Sequence, residues 1–131
     1  MSVFGNYAAA EVALAAEKFI NKMDEGELGL AVEEGEHRLS EGSRALFIEA
    51  IFDAFRQRGE SSEDAAEGAG TTLAALQANH PQAIAALVAY ARANRGLLKE
   101  ATVNLIEREP QIVAQLSPVL ADGIARRLQH R

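Results

Sequence analysis

Apolar side chains recur every three to four residues along most of the chain, which is the spacing of one face of an α-helix. The clearest run lies between Ser40 and Gly59, and its five large apolar residues fall on one helical stripe: Phe47, Ile48, Ile51, Phe52 and Phe55. This stripe holds three of the five phenylalanines of the chain, so it predicts the central core helix. Ser43 or Ser40 is the expected N-cap, and Gly59 is the expected end.

Two helices are predicted before this one. The first runs from an N-cap at Asn6 to about Asp24, because apolar residues keep one face through it. Gly26 and Gly29 then predict a break, since glycine costs about 1 kcal/mol relative to alanine inside a helix. A shorter second helix is expected over residues 27–39.

Serine, proline and glycine mark the helix boundaries in the second half. Ser61 suits an N-cap, and Gly96 suits a helix end. Pro81 and Pro110 suit the first turns of helices. Pro118 should kink or split the last helix. Alanine, the best helix former, supplies 26 of the 131 residues, and no alternating strand pattern occurs. The sequence therefore predicts an all-α fold, a compact bundle of six to eight short helices in a single domain over residues 1–131.

The net charge of −6 is unevenly distributed. Residues 1–68 carry 15 acidic and 6 basic side chains, whereas residues 69–131 carry 4 acidic and 7 basic ones. Opposite charge on two parts of a chain suits docking to another protein or to a second copy of the chain in a homo-oligomer. Neutralisation within the monomer is the alternative. We expect an acidic helical face centred on Glu33, Glu34, Glu36 and Glu41 to bind such a partner.

Few residues suggest catalysis. The chain has no cysteine, no Gly-Lys-Ser/Thr phosphate loop and no Gly-x-Ser-x-Gly elbow. Its apolar runs are shorter than the roughly 20 residues of a membrane span, and its first residues do not resemble a signal peptide. We therefore expect a non-catalytic interaction or regulatory protein of the cytoplasm, with no cofactor and no membrane contact.

Two alternatives remain open. Glu34 and His37 are three residues apart and share a helix face, so they could hold a metal ion or a small ligand. Such a site would be completed by a second copy of the chain, and only then would it support an enzyme. The second alternative is nucleic-acid binding through C-terminal basic residues such as Arg126 and Arg127, although these cations are too few and scattered to favour a phosphate backbone.

Overall fold

The computed structural model describes residues 7–109 and 111–129, and every regular element within these ranges is a helix. The nine helical segments are α1 (Ala9–Lys22), α2 (Glu25–Glu36), α3 (Glu41–Gln57), α4 (Ser62–Gly68), α5 (Leu73–Gln77), α6 (Pro81–Ala93), α7 (Leu97–Arg108), α8 (Ile112–Leu116) and α9 (Pro118–Gln129). The predicted all-α class is confirmed. Two segments, α5 and α8, have only five residues each. Across the described ranges, none of the helices combines the length and apolarity needed to traverse a bilayer.

Helix α3 forms the centre of the hydrophobic core, as its pattern predicts. All five residues of its apolar stripe are buried, and Phe47 has no exposed surface. The helix begins after Ser40, whose Oγ accepts a hydrogen bond from the backbone N–H of Ser43 at 3.2 Å, so Ser40 is the N-cap. Just beyond its end, Gly59 adopts a φ of 88°, which glycine tolerates at no steric cost. The most extensive packing of α3 is against α7.

Serine and proline also set several later boundaries where the sequence predicts them. The Ser61 Oγ accepts the N–H of Asp64 at 3.1 Å and caps α4. Pro81 is the first residue of α6. The Ser117 Oγ accepts the N–H of Leu120 at 3.3 Å, so the chain forms two helices around Pro118, namely α8 and α9. Gly96, predicted as a helix end, lies between α6 and α7 with a φ of 78°. Asn6 and Pro110, two further predicted boundary residues, lie outside the described residues.

The predicted break at Gly26 and Gly29 is wrong. Both glycines lie inside α2, and the chain turns before them, at Met23 and Asp24. The Asp24 carboxylate accepts the backbone N–H of Gly26 at 3.0 Å and that of Glu27 at 3.3 Å. This N-cap satisfies two amides that otherwise lack a partner, which offsets the low helix propensity of glycine.

Helices α1, α2 and α9 each keep one side open to solvent. α1 packs mainly against α7 and α9, whereas α2 packs against α6, α7 and α8. Large apolar side chains that are more than half exposed occur, among the described residues, only on these three helices: Leu14, Leu30 and Val119. The outer sides of α1, α2 and α9 are therefore the surfaces where an apolar contact with another molecule could form.

Candidate interaction surfaces

Two glycines fix the rotation of α2 about its axis. Gly35 lies so close to α8 that a Cβ at this position would overlap the backbone carbonyl oxygen of Leu116. A Cβ at Gly29 would lie 2.6 Å from Nε of Arg92, whose side chain crosses the helix there. The fully buried Val32 lies between them on the inner side. The opposite side of α2 is consequently directed to solvent.

This outer side carries one apolar residue between two acids, and we name Glu27, Leu30 and Glu34 the α2 stripe. Spacings of three and four residues place the three side chains on one face of the helix. All three are exposed, and Leu30 keeps 54% of its surface accessible. Within the described part of the chain, Glu27 and Glu34 form no ion pair. Leu30 is thus the apolar centre of an acidic surface.

Two acids beside the α2 stripe are engaged with other helices. The Glu33 Oε1 accepts a hydrogen bond from Nη1 of Arg92 at 3.0 Å, which links α2 to α6. The Glu25 Oε1 accepts the backbone N–H of Gly96 at 2.5 Å, at the start of α7. Glu41 is exposed at the first position of α3, where its negative charge interacts favourably with the helix dipole. Glu33 and Glu41 are therefore accessible, but the charge of Glu33 is partly neutralised.

The expected exposure of Glu36 is wrong, because only 4% of this residue is accessible. Its Oε1 lies 3.2 Å from Nδ1 of His37, and its Oε2 has no hydrogen-bond partner among the residues that the structure describes. Burial raises the pKa of Glu36, and the nearby Glu33 acts in the same direction; His37 and Arg44 oppose the shift. Glu36 is therefore an interior carboxylate and not part of an exposed acidic face.

The surroundings of Glu34 and His37 give little support to a metal site. Both side chains are exposed, and the Nδ1 of His37 approaches the carboxylate of Glu36. Residues 7–109 and 111–129 contain no group of three histidine, aspartate or glutamate side chains able to hold a metal ion. Within this range, a metal bound by Glu34 and His37 would lack a third protein ligand.

Several basic side chains of the second half contact acids of the same chain. Three ion pairs of this kind are Arg92–Glu33, Arg108–Asp53 and Arg126–Asp122. Arg127 forms no ion pair with any residue that the structure describes, and Arg131 lies outside that range. Part of the charge asymmetry is thus neutralised internally, which reduces the number of cations available for a nucleic-acid backbone.

An open groove of about 980 Å³ lies between α1 and α9, and we name it the α1/α9 groove. Its apolar lining includes Phe19 and Val119, and Val119 keeps 65% of its surface accessible. A Cβ at Gly123 would overlap the ring of Phe19, so glycine at this position lets the ring lie directly against α9. Arg126 and Arg127 also line the groove. These two cations outnumber the one acid of the lining, Asp122, so the groove combines an apolar floor with a net positive charge.

A smaller crevice of about 280 Å³ lies between α3 and α5. Its lining includes the buried apolar residues Ile48, Phe52 and Leu76, together with the polar residues Glu49 and Asn79. This volume is slightly below the roughly 300–1,000 Å³ that is typical of small-molecule sites. Neither Glu34 nor His37, the two residues that the sequence suggests for a ligand, lines this crevice.

Neither Leu30 nor Val119 is among the residues expected from the sequence to form a site. One signal was available for α2, because Leu28, Val32 and Glu36 are separated by four residues and define one helix face. That spacing places Leu30 on the other side and Glu36 inside. The α1/α9 groove has no comparable signal, because its two helices are distant in sequence.

No protein-family model, no curated protein and no solved structure matches this chain. The surfaces described above are therefore the basis for a functional proposal.

Proposed function

We propose that this chain is a non-catalytic protein-interaction module that presents the α2 stripe to a partner. The observation that carries the proposal is the position of Leu30, half exposed at the centre of an acidic helix face. Glu33 and Glu41 lie at the margins of this surface, and Glu36 is left out because it is buried. The cytoplasmic location expected from the sequence is part of the same proposal.

The arrangement resembles the general composition of a protein interface. Interfaces place apolar side chains at the centre and polar or charged ones at the rim. Covering the exposed part of Leu30 would contribute about 1 kcal/mol through the hydrophobic effect. Glu27 and Glu34 would add specificity and faster association with a positively charged surface. The expected partner therefore offers an apolar pocket with arginine or lysine beside it.

The chemistry of the partner follows from the charge around the stripe. Residues 24–41 contain seven acidic side chains and one arginine. One of these acids is buried, and two are engaged with α6 and α7. The remaining exposed acids still give the surface a negative potential, which would repel nucleic acid and attract basic proteins.

The test uses affinity capture from an extract of the native host, with the whole chain as bait. Leu30→Ser and the double variant Glu27→Gln/Glu34→Gln should each lose the partner that the wild type retains. Leu14→Ser is the matched control, since Leu14 is 53% exposed but lies on α1. Circular dichroism should show the same helix content for all four proteins. Retention of the same proteins by every bait would refute the proposal.

The two alternatives have simple assays. A protein that binds metal through Glu34 and His37 should purify with close to one equivalent of iron, manganese or zinc, and should lose it on His37→Ala. A protein that binds nucleic acid through Arg126 and Arg127 should shift a DNA or RNA fragment at low salt. Either positive result would replace the proposed function by that alternative.

A further inference from the structure

We propose that the partner of the α2 stripe is a second copy of this chain, which receives it in the α1/α9 groove. The inference rests on the proposed function, because it assigns the occupant to the same stripe. It joins two of the three large apolar side chains that are most exposed among the described residues, Leu30 and Val119. Each lies next to charge, and the two charges have opposite sign.

The charged residues of the groove are suited to an acidic partner. Arg127 forms no ion pair with a described residue and is only partly exposed, beside the apolar floor. Arg126 is paired with Asp122 on its own helix at 3.0 Å, with both side chains largely exposed. An exposed pair of this type contributes little to stability, so Arg126 can exchange its partner at small cost. The groove can therefore offer two cations to an incoming carboxylate.

The spacing on the two helices is also compatible. Leu30 and Glu34 are four residues apart on α2, and Gly123 and Arg127 are four residues apart on α9. Both separations correspond to about 6 Å along a helix axis. If the two helices run in the same direction and Leu30 contacts the ring of Phe19 where it crosses Gly123, Glu34 reaches the level of Arg127. Val119 lies one turn from this point on the same apolar floor. One contact would thus cover Leu30 and Val119 and bring Glu34 next to a cation.

The α2 stripe of one molecule and the groove of another form a heterologous contact, which allows chains of molecules or closed rings. The mass of the purified protein should therefore rise with concentration. It should fall as salt is added, because the charged part of the contact is screened.

Sedimentation velocity on purified protein at low and high salt tests the inference, with two surface variants. Leu30→Ser removes the apolar centre of the stripe but leaves the groove, and Val119→Glu does the opposite. We expect each variant alone to associate at least about tenfold more weakly than the wild type, which corresponds to a loss of about 1.4 kcal/mol. A mixture of the two should form one-to-one pairs and nothing larger, since one intact contact remains. Leu14→Lys, an exposed control on α1, should associate like the wild type.

A charge exchange adds a second test of the same contact. Glu34→Arg should weaken self-association, and Arg127→Glu should do so as well. Mixing these two variants should restore assemblies larger than pairs, because the exchanged contact is then complementary in addition to the unmodified one. A wild type that stays monomeric at every concentration would overturn the inference. So would variants that associate like the wild type, or mixtures that remain monomeric.

The two proposals can fail separately. A purified chain that stays monomeric, while its α2 stripe captures a different protein from the extract, would overturn self-docking and leave the proposed function intact. Stripe variants that lose neither self-association nor any captured protein would overturn both.

Discussion

Replacing Glu36 by glutamine should stabilise the protein at neutral pH. The carboxylate is 4% exposed, and its Oε2 has no hydrogen-bond partner within the described part of the chain. A buried polar group without a partner costs about 1–3 kcal/mol. Attraction by His37, when it is protonated, and by Arg44 offsets part of this cost. We therefore expect Glu36→Gln to raise the free energy of unfolding by about 1 kcal/mol at pH 7, or the Tm by about 4 °C.

The stabilisation that Glu36→Gln produces should decrease as the pH is lowered. The pKa of Glu36 is raised in the folded protein, mainly by burial, so the folded state binds the proton more tightly than the unfolded chain does. Protonated Glu36 therefore supports the fold fully below its unfolded pKa of about 4.3. This contribution is lost as the pH rises through the higher folded pKa. Since glutamine resembles the protonated acid, the advantage of the variant should be largest at pH 7 and close to zero at pH 4.

Urea denaturation followed by circular dichroism at pH 4, 5, 6 and 7 measures this difference. Glu34→Gln is the matched control: its side chain is exposed, and its effect should stay within about 0.5 kcal/mol. A Glu36→Gln protein that is less stable than the wild type at pH 7 would refute the reasoning, because Arg44 and His37 would then outweigh desolvation. A gain that is equal at every pH would refute the assignment to ionisation.

Two further predictions concern packing. Gly35→Ala should destabilise the protein by at least about 2 kcal/mol in a thermal melt, because the new methyl group would overlap the carbonyl oxygen of Leu116. Gly42→Ala is the control: its Cβ would meet nothing within 4 Å, so this substitution should leave the stability unchanged or raise it slightly. Phe47→Ala should cost about 3–5 kcal/mol in urea denaturation, because the ring is fully buried in the core. A loss below about 1 kcal/mol for either Gly35→Ala or Phe47→Ala would contradict the described packing.

The fold could be predicted where local signals agree with tertiary packing. In α3, a serine cap, an apolar stripe and a terminal glycine all favour the same helix, and the stripe is large enough to dominate the core. The split before Pro118 was also predictable, because proline cannot donate the hydrogen bond that a continuous helix requires. These features depend on neighbours in sequence, so one sequence is enough to identify them.

Helix α2 was less predictable because its inner side is made partly of glycine. Gly29 and Gly35 do not contribute to the pattern of apolar residues in the sequence. They nevertheless allow the Arg92 side chain and the α8 backbone to pack closely against α2. Those partners lie in distant parts of the chain, so their effect overrides the local cost of glycine. The same packing turns Glu36 inward and Leu30 outward. The number of charged residues in this segment does not indicate that Glu36 is buried and Leu30 exposed.

The charge asymmetry of the sequence allowed either internal neutralisation or contact with another molecule, and the described structure contains elements of both. Ion pairs such as Arg92–Glu33 and Arg108–Asp53 join the acidic and basic parts within one chain. Exposed pairs of this kind contribute about 0–1 kcal/mol each, so they account for only a small share of stability.

The charges outside such pairs include Glu27 and Glu34 on one helix and Arg127 on another. Each of these helices also exposes a large aliphatic side chain, and charge alone would not require that. Exposure alone does not define a docking surface, since Leu14 on α1 is exposed to a similar degree. Leu30 and Val119 are set apart by the charges of opposite sign beside them, and their substitution is the more decisive experiment.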